Sequence, residues 1–165
     1  MVPETVDGLL VPVAASTTHV AFSTVRLEPT WMALGQAAGV AAHLAIAGGV
    51  EPRAVNVEQL QRETLRRGQV ITYFKDIDSK DPAYAALQYF GTKGFFPDYL
   101  ARSKDAVDGE TAARWWRIAT GKAAPGLEGA FTRGVLARWL GTGEPARAGE
   151  AVTRGEMCQA LYERR

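Results

Sequence analysis

The sequence predicts a mainly α protein with one short strand near its start, and three observations carry that expectation. Residues 26–46, RLEPTWMALGQAAGVAAHLAI, place a proline in a first helical turn and small residues at helical spacing behind it. Three later segments, DGETAARWWRIATG, FTRGVLARWLGTG and VTRGEMCQALYERR, each open on a polar cap and continue with apolar positions at helical intervals. Only Gly8 to Val13, GLLVPV, has the length and branching of a buried strand, although Pro12 removes one ladder donor.

Taken in order, the strand ends near Val13 and gives way to a Ser/Thr-rich loop, AASTTHVAFST. The first helix begins at Pro29, where a missing amide proton has no intrahelical partner to lose, and stops at Gly48-Gly49. A second helix is signalled by Asn56 as cap with Gln59 three residues on, by Val57 and Leu60 on its apolar side, and by Gly68 as its stop. A third begins at Asp81-Pro82 and closes near Gly91 or Gly94 between two aromatic clusters. The texture changes after Gly68, so a boundary falls at about residues 71–75, dividing the chain into 1–72 and 73–165. Thr132 to Gly134 and Thr153 to Gly155 repeat the tripeptide Thr-Arg-Gly.

Composition excludes several function classes. Nineteen basic and eighteen acidic residues leave a formal charge of +1, which offers no electrostatic footprint for nucleic acid. One cysteine, Cys158, rules out an internal disulfide and a cysteine-built zinc site. The most apolar run, Val40 to Ala47, is interrupted by His43 and is shorter than a bilayer crossing requires, so no membrane span is expected. The N-terminus, MVPETVDGLLVP, has no basic region ahead of an apolar core, so no signal peptide is expected either.

The sharpest feature is the start of the small-residue helix. Gly35, Ala38, Gly39 and Ala42 leave one side nearly bare, which suits close packing and by itself says no more. The tip, with free amide protons and the positive end of the macrodipole, favours an anion or a developing negative charge by about 0.3–2 kcal/mol.

The run LLVPVAASTTHVAFSTVRLEPTWMALGQAAGVAAHLA, followed by VNVEQLQRETLRRGQVI, resembles the C-terminal end of FAD-dependent oxidoreductases of the glutathione-reductase-like superfamily, in particular the xanthan-lyase-related group. The likeness rests on Ser16, His19, Arg26, Glu28, Pro29, Met32, Gly35, Gln36, Ala38, Gly39, Ala42 and Gln69. It implies that the strand and helices close a flavin-binding α/β domain, with the helix tip facing the pyrimidine edge of the flavin. Glu28, Pro29, Thr30, Trp31, Met32 and Gly35 are then the cofactor-binding residues, and His19 and Arg26 are the catalytic ones, beside a small-molecule substrate the sequence does not identify. The reaction implied is hydride transfer between a substrate carbon and the flavin. Each residue has a plainer role open to it: His19 as a structural hydrogen-bonding group, Arg26 and Glu28 as a local ion pair, Trp31 as a core anchor. The glycine fingerprint G-x-G-x-x-G is absent from all 165 residues. The expected partner is therefore a nucleotide-binding domain N-terminal to this segment, and the chain alone is expected neither to hold FAD nor to catalyse.

Residues 73–100 and the later VTRGEMCQALYER resemble, in part, the surface-layer homology module of bacterial cell-envelope proteins. Phe74, Asp76, Tyr84, Ala85, Leu87, Gly94 and Phe95 match its first part, and Thr153, Arg154, Gly155 and Glu156 its last, while the DGETAARWWRI helix lacks the Thr-Arg pair. That likeness implies a small helical bundle with a cell-wall glycan as partner, bound through Arg133 and Arg154. Thr153 with Glu156 is equally a capping box that needs no ligand. Trp115, Trp116 and Trp139 suit either sugar stacking or a core.

Overall fold

A computed structural model describes residues 1–164. It is mainly α, as expected, with seven α-helices, one 3₁₀ turn and no sheet among the described residues. The chain divides into two compact units, Met1–Val70 and Ile71–Arg165.

The first unit is built on two helices. A short α1, His19–Val25, is followed by α2, Glu28–Gly48, the small-residue helix. Pro29 lies one position inside the start of α2, and Gly49 ends it with φ 61°, its amide reaching back to the Ala45 and Ile46 carbonyls. After a 3₁₀ turn, Pro52–Ala54, α3 spans Val57–Arg66, and the Asn56 side chain accepts the Gln59 amide proton at 3.0 Å. Two glutamines brace the pair: Gln69 Nε2 donates to the Ala33 carbonyl at 3.1 Å and Gln36 Nε2 to that of Arg67 at 3.5 Å.

Two expectations fail in this unit. Leu9 to Val13 form no strand, because a strand needs a neighbour to take its backbone groups and none is present. Within it the Val11 amide donates to the Met1 carbonyl at 2.8 Å, and the residues just ahead of it are held by side chains: Arg53 takes the carbonyls of Pro3, Glu4 and Val6, and Glu51 Oε2 accepts the Gly8 amide at 2.8 Å. The Ser/Thr-rich loop is partly helical, because the Thr18 hydroxyl accepts the Ala21 amide and nucleates α1. At 21 residues α2 is also long and apolar enough to cross a bilayer by length and composition, a test that core helices pass equally; 22% of its most apolar window is buried.

The second unit has an aromatic core. Phe90 stacks on Phe95 with centroids 4.3 Å apart, Phe95 stacks on Trp115 at 4.7 Å, and the Trp115 indole donates to the Phe95 carbonyl at 3.1 Å. Helix α4 is shorter than expected, Tyr84–Gly91, because Asp81 closes a turn first by accepting the Ala83 amide at 2.8 Å. Packed against it is α7, Arg154–Glu163, while α5, Gly109–Thr120, and α6, Arg133–Leu140, lie between them in sequence. Trp115, Trp116 and Trp139 are all buried, which assigns them to the core rather than to sugar stacking. The entry to this unit is fixed by Gln88, itself buried, whose Oε1 accepts the amides of Ile71 and Thr72.

The starts of α5, α6 and α7 obey one rule that the Thr-Arg-Gly tripeptide shows only twice. Each reads Ala, an apolar residue, then Asp or Thr as cap, with Gly one position after the cap in α5 and two positions after it in α6 and α7: Ala106 to Gly109, with Asp108 as cap; Ala130 to Gly134, with Thr132; Ala151 to Gly155, with Thr153. Val107, Phe131 and Val152 are the buried apolar members. Their backbones pair as well, with isolated antiparallel bridges joining Ala106 to Thr153 and Thr132 to Ala151. The pattern extends to the preceding turns. Arg102 and Arg147 both adopt positive φ, 50° and 59°, and the carbonyls of Ser103 and Ala148 accept the amides of Gly155 and Gly134.

Candidate functional sites

In the first unit the flavin-facing candidates gather at the α1–α2 junction. Arg26 is the last cap residue of α1, and Glu28, Pro29, Thr30, Trp31 and Met32 form the first turn and a half of α2. His19 opens α1, so a seven-residue helix, about 10 Å of rise, separates it from Arg26. His19, Arg26 and Met32 are all exposed. Arg26 and Glu28 form no ion pair, which removes the local-pair alternative. Gly35 and Gly39 face open space, since a Cβ built on either would meet nothing within 4 Å.

One donor at the tip fits a polar ring edge. It is not a main-chain amide of Thr30 or Trp31, because Leu27, the cap residue, supplies no capping side chain but its carbonyl already accepts both, at 3.0 and 3.1 Å. The indole Nε1 of Trp31 is buried without a hydrogen-bond partner, a donor that a neighbouring acceptor would satisfy. Glu28 works in the opposite sense, because its carboxylate already occupies the favourable end of the helix.

In the second unit the structure separates the roles of the two tail arginines. Arg133 is committed inside the fold, donating to Glu150 at 2.7 Å and to Glu156 at 2.5 Å. Glu156 also completes the capping box of α7, accepting the Thr153 amide at 2.9 Å. Burial pushes the Glu156 carboxyl up, but the Thr153 amide and then Arg133 outweigh it and leave its pKa below the ordinary glutamate range. Among the described residues Arg154 forms no ion pair; its guanidinium lies 5.8 Å from the Trp115 ring centroid, and its Nε is buried without a partner. Sequence reasoning missed a cleft of about 430 Å³ between the start of α4 and α7, lined by residues from Asp81 to Ala83, by Ser103 and Lys104, and by α7. Its signal in the sequence was Gly155, whose missing side chain lets Ser103 and Ala83 approach.

Among known families, the model described as FAD dependent oxidoreductase matches residues 1–64, a little over a third of the chain. No curated protein and no solved structure matches the chain.

Proposed function

We propose that residues 1–70 are the closing segment of the flavin-binding domain of an FAD-dependent oxidoreductase, completed by a nucleotide-binding domain that these 165 residues do not contain. The observation that carries this reading is where the family match falls. It covers a unit in which six residues are buried, Ala38, Val40, Ala41, Ala45, Thr64 and Leu65, none larger than leucine. A segment of 70 residues with so small a core is far from the burial that a domain of its size needs to stand alone. The open Gly35–Gly39 face and the exposed side chains of Val20, Met32 and Ile46 are what a helix would present to the rest of such a domain.

When bound, FAD supplies the hydride-accepting ring. The chain's own part is electrostatic and positional. The uncapped start of α2 orients amide dipoles toward the pyrimidine edge and Trp31 Nε1 adds a donor, while Arg26 and His19 border the substrate side. Purified and titrated with FAD, the 165-residue chain should show no bound-flavin absorbance band; a stoichiometric complex of micromolar affinity or better would overturn the reading.

A second reading concerns residues 71–165 as a binding module, with cell-envelope glycan as the ligand the sequence resemblance suggests. It is favoured by the cleft beside α7 and by Arg154, whose guanidinium is held 5.8 Å from the Trp115 ring centroid. Retention of the chain on cell-wall preparations, lost in Arg154→Ala and kept in Arg133→Ala, tests it.

A further inference from the structure

We draw no further inference here: the strongest candidate, the aromatic cleft of about 350 Å³ that Tyr73, Phe96 and Tyr99 line in the second unit, is an unpartnered face, and nothing in the structure shows what covers it.

Discussion

Arg133 reaches from the start of α6 to Glu156 in the first turn of α7, 2.5 Å between Nη2 and Oε1, and so joins two of the three equivalent helix starts through a single carboxylate. Because Glu156 also caps its own helix, the arginine and the capping box depend on the same group. Arg133→Ala and Glu156→Gln should therefore each lower the thermal midpoint, and the double variant should fall short of their sum, as coupled neighbours do. Additive losses in a double-mutant cycle would show that the pair contributes nothing beyond its separate parts. The shared sign in pH follows from the lowered Glu156 pKa. Its contribution is present above the unfolded glutamate value of about 4.3 and is lost as pH falls through the lower folded value.

Gly155 is a position where a methyl group should do harm. Its built Cβ lies 2.5 Å from Ser103 Oγ, 3.2 Å from the Ser103 carbonyl oxygen and 3.3 Å from Ala83 Cβ, so Gly155→Ala should destabilise by about 1–3 kcal/mol. Gly143→Ala, where nothing lies within 4 Å, is the matched control and should leave the denaturation midpoint within about 0.5 kcal/mol of the parent.

In the first unit, Glu63 is gripped by two arginines, with 2.7 Å contacts to Arg66 and Arg67. The Arg66 hydrogen bond, against some desolvation and with help from Arg67, holds the carboxyl down at about 2. A carboxyl-resolved NMR titration should find Glu63 still ionised at pH 3, when ordinary glutamates, near 4.3, are protonated. The stability it lends α3 should be complete above that ordinary value and disappear as pH falls toward about 2. A midpoint near 4.3 would show that the two arginine contacts do not persist in solution.

Arg26 provides the test of the oxidoreductase reading within a complete enzyme. Exposed and without an ion pair among the described residues, its side chain has no structural task there that its removal would disturb. Arg26→Ala should slow turnover by about tenfold or more while bound flavin remains stoichiometric by absorbance, the pattern of a group acting on substrate rather than on cofactor. Unchanged turnover would take Arg26 out of the site.

The features legible in the sequence are those set within a few residues of chain. Asn56, Asp108, Thr132 and Thr153 announce helices because a cap needs only the amide two or three positions ahead, and Gly49 ends α2 because only a residue tolerant of positive φ can turn there. Local signals misled where the outcome depended on partners. GLLVPV has the composition of a strand, but a strand satisfies its backbone only against another strand, and here the Gly8 amide goes to Glu51, 43 residues on, and the Val11 amide to the Met1 carbonyl. The role of Arg133 was hidden for the same reason, since Glu150 and Glu156 stand 17 and 23 positions on and only the packing of three helix starts brings them within reach. The third member of that set went unrecognised because it caps with Asp108 rather than Thr-Arg, and its kinship lies in shared backbone pairing, not in side-chain identity. Short-range hydrogen bonding is written along the chain; which charges meet, and which helix start keeps an open cleft, was decided only when distant segments packed.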